Sequence, residues 1–100
     1  MHRVSEIPSE LALPAQVLLA LAALQADAAP VSLPRLGKHL GRSASVLMRA
    51  LSLLGDAEVG GERGPGWVQV HQVEGHWRAA LTDAGRAAVA ELQAALRAPR

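Results

Sequence analysis

The stretch that decides the fold is Ser32-Leu33-Pro34-Arg35-Leu36-Gly37-Lys38-His39-Leu40-Gly41-Arg42-Ser43-Ala44-Ser45-Val46-Leu47-Met48-Arg49-Ala50-Leu51. Leu33, Leu36 and Leu40 recur at the spacing that puts apolar residues on one face of a helix. Ser32 stands where an N-cap belongs, and Pro34 is tolerated in a first turn because no backbone N–H is needed there. The pattern predicts a helix over 33–40. Gly41 can then turn left-handed without steric cost. Ser43 is a second N-cap candidate, and Leu47, Ala50, Leu51 and Leu54 form the inward face of a helix over 44–54 that stops at Gly55. Two short helices joined by roughly three residues including a glycine make a helix-turn-helix. In that motif the second helix enters the DNA major groove with its N-terminal residues toward base edges.

Upstream, residues 1–13 read as a loose arm, and Pro14 suits the start of a helix over 15–26. Val17, Leu18, Leu21 and Leu24 form its apolar stripe, yet Leu19, Ala20 and Ala23 on the other side are not polar either. A helix apolar all round is buried on more than one side. In so small a chain, a partner subunit is the expected second cover. Residues 27–31 read as a turn region containing Pro30.

Downstream of Gly55 the period changes from helix to strand. Residues 58–63 are short and ambiguous, and the glycines at 60, 61, 64 and 66 with Pro65 mark flexible or tight turns. Residues 67–73 alternate as a strand with Val68 and Val70 on one face. Glu74-Gly75 is a hairpin turn and 76–81 the returning strand. Thr82 caps a last helix over 83–98, with Val89, Leu92 and Leu96 as its stripe. The expected fold is therefore mainly α with a small β-hairpin: a winged helix-turn-helix of three core helices, a wing and a C-terminal helix, formed by residues 14–98 behind an arm of residues 1–13.

Composition narrows the function. One hundred residues, half of them apolar, suffice for one core without staples. The absence of cysteine excludes disulfides, thiolate metal sites and a cysteine nucleophile. Trp67 and Trp77 are the only aromatic residues, and each reads as a lid on the core rather than a ligand platform. So few aromatics argue against single-strand binding by base stacking. The uncharged run 11–26 is too short to span a bilayer. Ala26-Asp27-Ala28 resembles a leader cleavage site, but Arg3 is offset by Glu6 and Glu10 where a leader needs positive charge. The expected compartment is the cytoplasm.

Net charge is only +1, so any anionic partner must be met locally. Between Ala28 and Gly55 the chain carries Arg35, Lys38, Arg42 and Arg49 and no acid; all nine acids lie elsewhere. Positive charge collected on one motif is what phosphate binding requires, although a solvated helical face would look similar.

The 32–51 segment resembles the helix-turn-helix of MarR-type regulators, with a small residue at Gly37, a glycine at Gly41, a serine at Ser43 and an arginine at Arg49. Leu81-Thr82-Asp83-Ala84-Gly85-Arg86 is similar to the segment that follows the wing in MarR-type and PadR-type proteins. The chain departs from that pattern around Gly55-Asp56-Ala57 and at Ser52 and Leu53, and it has little room for the long flanking helices of MarR-type proteins. The resemblance implies a homodimeric regulator of transcription that binds double-stranded DNA.

Roles follow for individual residues. Arg42, Ser43 and Ser45 sit where hydroxyls, backbone N–H groups and a guanidinium can hold phosphate; Ser43 serves as an N-cap in either case. Ala44, Ser45, Met48 and Arg49 lie on the outward face. Arg49 is placed for a bidentate guanine contact or a backbone contact, and Met48 for a thymine methyl or for packing. Arg35 and Lys38 are phosphate candidates, and Arg78 is the wing's, with Arg63, His71 and His76 near the same region. No cofactor is expected. His39, His71, His76 and Glu74 show no recognised metal-ligand spacing, the glycines lack a phosphate-loop ending, and a small domain offers little cavity for catalysis, so no enzyme is expected. A winged helix can also serve purely as a protein–protein module; such a module has no need of an acid-free motif. Dimerisation through the first and last helices, with Ala87, Ala90 and Ala94 allowing close approach, is the expected assembly.

Overall fold

The computed structural model describes residues 11–25, 29–56, 58–59 and 61–98. The elements run α1 (Leu13–Leu24), β1 (Val31–Ser32), α2 (Leu33–Leu40), α3 (Ala44–Leu54), β2 (Glu58–Val59), β3 (Glu62–Arg63), β4 (Val68–Val73), β5 (His76–Leu81) and α4 (Asp83–Arg97). Three helices form the core, β4 and β5 form the wing, and α4 returns across the back. This is a winged helix-turn-helix.

The helix boundaries follow local chemistry. Ser32 Oγ accepts the Arg35 N–H at 3.3 Å and Ser43 Oγ accepts the Val46 N–H at 3.4 Å, which starts α2 and α3 at the expected residues. Gly41 takes φ 67°, ψ 37° and closes α2 with its N–H on the Gly37 carbonyl at 2.7 Å. The wing turn places Glu74 at φ 53° and Gly75 at φ 80°. Two successive positive φ values give the twist that a two-residue hairpin needs.

The core is aliphatic. Leu21, Leu36, Leu47 and Leu51 are its largest fully buried side chains, joined by Leu33, Ala50, Leu54, Val68 and Val89. All four expected inward residues of α3 are buried. In α4, Val89 is buried and Leu92 packs against the core, but Leu96 lies exposed, so the expected stripe leaves the core before its last turn.

Three expectations change. First, α1 buries Val17, Leu18, Leu19, Ala20 and Leu21 within this chain, against α2, α3, α4 and β5. Its apolar perimeter is covered without a second subunit. Only Ala23 of the far side stays exposed. Gln16, buried on the same helix, donates from Nε2 to the Leu11 carbonyl at 2.6 Å. Second, the end of the expected turn is a strand: Val31 and Ser32 pair with Ala79 and Arg78, giving an antiparallel sheet in the order β1-β5-β4. Third, the ambiguous region contains a small antiparallel pair, Glu58 with Arg63 and Val59 with Glu62. The expected arm lies outside the described residues as far as residue 10; at its end Leu11 and Leu13 pack against the core.

The segment after the wing is fixed by close backbone crossing. Thr82 caps α4, accepting the Gly85 N–H at 3.0 Å while its hydroxyl donates to the Gly66 carbonyl at 2.7 Å. The Thr82 N–H donates to the Trp67 carbonyl at 3.0 Å. A Cβ on Gly85 would overlap that same carbonyl oxygen. Arg86 donates to the Leu81 carbonyl at 3.3 Å and pairs with Asp83. Gly85→Ala is therefore expected to lower stability by about 3 kcal/mol, because two backbones must separate. Gly41→Ala meets nothing within 4 Å and should cost only the left-handed penalty, about 1–2 kcal/mol. Urea unfolding of both variants checks the order.

Candidate nucleic-acid interface

The site is built on the α2–turn–α3 unit. A tight turn brings the two helices together: the Gly41 and Arg42 N–H groups both donate to the Gly37 carbonyl, at 2.7 and 3.1 Å. A Cβ on Gly37 would stand 2.9 Å from the Arg42 carbonyl oxygen, so a hydrogen side chain is needed for the approach. Leu47 fills the space beside it.

With Leu47, Ala50, Leu51 and Leu54 turned inward, the other face of α3 is presented to solvent. Arg42, Ser43, Ala44, Ser45 and Arg49 are all exposed, as are Arg35 and Lys38 on α2. The four basic side chains make no ion pair among the described residues, where Asp83–Arg86 is the pair present. Ser43 and Ser45 lie with their hydroxyl oxygens 3.4 Å apart at the helix start. The first turn of α3 carries no acid, so its partial positive charge is unopposed. Exposed cations, two hydroxyls and a helix N-terminus on one acid-free surface can hold anionic oxygens.

The wing tip folds toward this unit. Gly75, His76 and Trp77 line a groove together with Lys38, Arg42 and Ala44. Trp77 also lines a second groove between α3 and β4, with Met48, Leu51, Ser52 and Val70. The two tryptophans divide. Trp67 packs against the core as expected, but Trp77 is 40% exposed and stands between wing and α3. Trp77 shares a strand face with the buried Ala79 and Leu81 but sits farther toward the tip, where the core's cover ends. That alternation, counted from the tip, was the available signal.

Two proposed contacts are placed differently from their companions. Arg78 alternates with Ala79, so it lies on the opposite sheet face, half-buried between Ser32 on β1 and His71 on β4. It does not line the groove that holds Lys38 and Arg42. Met48 is half-buried and packs against the core. Among the described residues no cluster of three or more His, Asp or Glu converges on one point, and no helix is long and apolar enough to cross a membrane.

The chain is similar to a protein of solved crystal structure from Ralstonia eutropha JMP134, a "putative DNA-binding protein". The two are 34% identical with a TM-score of 0.62, over 79% of this chain and 91% of that one. No protein-family model matches the chain, and no curated protein matches it.

Exposure sets what substitutions here do to the fold. Arg42→Ala and Arg49→Ala should each stay within about 0.5 kcal/mol of the parent, whereas Ser43→Ala removes a cap and should cost about 1 kcal/mol. Thermal unfolding followed by circular dichroism separates the two groups.

Proposed function

This chain belongs to the same family as the Ralstonia eutropha protein, and we propose that it binds double-stranded DNA sequence-specifically, with α3 in the major groove, as a regulator of transcription. The observation that carries this reading is the acid-free α2–turn–α3 surface, on which Arg35, Lys38, Arg42 and Arg49 are exposed without acidic partners among the described residues. A surface used only for protein contact has no reason to exclude every acid from residues 28–55. The description of the Ralstonia relative points to the same ligand.

The roles divide by position. Arg35, Lys38 and Arg42, with Ser43 and the first N–H groups of α3, meet phosphate oxygens and fix the register of the protein on the duplex. Ala44, Ser45 and Arg49 face the groove, where a guanidinium can engage guanine O6 and N7 together. The wing tip, with His76 and Trp77 beside Lys38 and Arg42, flanks the same backbone. Arg78 would reach phosphate only from the outer face of the wing.

The protein is read as a MarR/PadR-like cytoplasmic regulator acting as a homodimer. Because α1 is covered within the chain, the pairing surface is assigned chiefly to α4, where Ala87, Ala90, Ala94 and Leu96 are exposed. Two copies would set their α3 helices about 34 Å apart, one duplex turn, and read a pseudo-palindrome.

Fluorescence anisotropy with random duplex DNA tests the reading. The parent should bind at low salt, and binding should fall steeply as salt rises. Arg42→Ala/Arg49→Ala should weaken binding and lower the log–log salt slope by about one for each phosphate that is no longer neutralised. No binding at low salt would overturn the proposal. Light scattering at micromolar concentration tests the assembly, and a monomeric mass would remove the homodimer.

A further inference from the structure

The reading surface contains an apolar residue that neither the core nor the helix requires. Val46 is the third residue of α3 and is 41% exposed. A β-branched residue lowers helix propensity, and at an exposed position it gains little packing in return. The first turn of α3, where an acidic residue would favour the helix, carries Ala44, Ser45 and Val46 and no acid behind the Ser43 cap. Arg49 follows Val46 by three residues, so the two are neighbours on the helix surface. Of the other apolar residues off the inward face of α3, Leu53 is 50% exposed but stands in the last turn, at the helix end opposite the one that approaches base edges. Met48 packs against the core and lines the groove beside β4 with Trp77.

We propose that Val46 is a specificity-determining residue whose methyl groups contact the 5-methyl group of a thymine, next to the base pair read by Arg49. The inference rests on the DNA-binding reading above and names a sequence feature of the ligand. Thymine is the base that presents a methyl group in the major groove. In a helix the valine χ1 is nearly fixed, so its two methyls are presented with little conformational entropy left to lose. Placement in the first turn of α3 puts them at the helix end that approaches base edges. The half-site thus contains a thymine beside a guanine, and discrimination at that thymine comes from apolar contact rather than hydrogen bonding.

The test begins with selection of bound sequences from a random duplex library by the full chain. Each thymine of the enriched site is then replaced singly by deoxyuridine, which deletes the methyl and leaves the hydrogen-bonding edges intact. For the parent protein, one replacement per half-site should weaken binding about three- to five-fold, the scale of one buried methyl. With Val46→Ala the same replacement should have no effect, while the unmodified site binds as weakly as the deoxyuridine site does to the parent. Since Val46 is exposed, Val46→Ala should fold, and its unfolding curve is recorded alongside. Binding with an enriched site but no methyl-sensitive thymine overturns the Val46 assignment alone, as does sensitivity that persists in Val46→Ala. Binding without any enriched sequence removes both the assignment and sequence-specific reading. Absence of duplex binding at low salt overturns the DNA reading itself.

Discussion

The arrangement depends on one backbone residue, Trp67, where four elements meet. Its N–H donates to the Leu54 carbonyl at the end of α3, 2.8 Å away, and its carbonyl accepts the Thr82 N–H at 3.0 Å. The α carbon of Gly85, in the first turn of α4, lies against that carbonyl. Gly66, just before it, donates to the Gly55 carbonyl at 3.0 Å and accepts the Thr82 hydroxyl at 2.7 Å. Buried backbone groups need such partners, and here the partners come from the end of one helix and the start of another. The result is a fixed angle between α3, the wing and α4.

That crossing accounts for Thr82, Gly85 and their neighbours in the Leu81-Thr82-Asp83-Ala84-Gly85-Arg86 segment. A hydroxyl side chain is needed at Thr82 because one hydroxyl must both cap α4 and bond a carbonyl of the loop before β4. Glycine is needed because any side chain would overlap a carbonyl. Arg86 and Asp83 close the outside, and the Gln25 side chain accepts the Leu81 N–H at 2.9 Å, tying the end of α1 to β5. The motif is structural, and its service to the interface is indirect. It holds the wing where Trp77 and His76 can stand beside Lys38 and Arg42.

The surface that carries the proposed function is separated from the core by helical periodicity alone. Every inward position of α3 is an aliphatic residue or alanine, which leaves the outward positions under no packing constraint. Charge could then be placed freely. The four basic residues of the motif lie exposed on α2, the turn and α3, although the chain as a whole is nearly neutral. A local field of this kind acts on a ligand within about 10 Å at ordinary salt, so it can serve docking without making the whole protein sticky.

What the sequence by itself determined was local. Ser32, Ser43 and Thr82 set helix starts, Gly41 and Glu74-Gly75 set turns, and apolar spacing set the inward faces of α2 and α3, because each signal acts within a few residues along the chain. The acid-free stretch was legible for the same reason. Tertiary structure alone decided what covers each face. Periodicity shows that α1 is apolar all round but not whether its own chain or another covers it; burial of Leu19 and Ala20 in this core settles that. The β1 strand exists because Val31 meets Ala79, forty-eight residues away, and two residues have no period to read. Alternation put Trp77 in phase with Ala79 and Leu81, yet only the extent of the helices beneath the sheet decides where that phase stops being buried. The same limit holds for Met48: helical spacing leaves open whether it packs or faces out, and the tertiary structure sets it half-buried against the core, beside the groove that β4 lines.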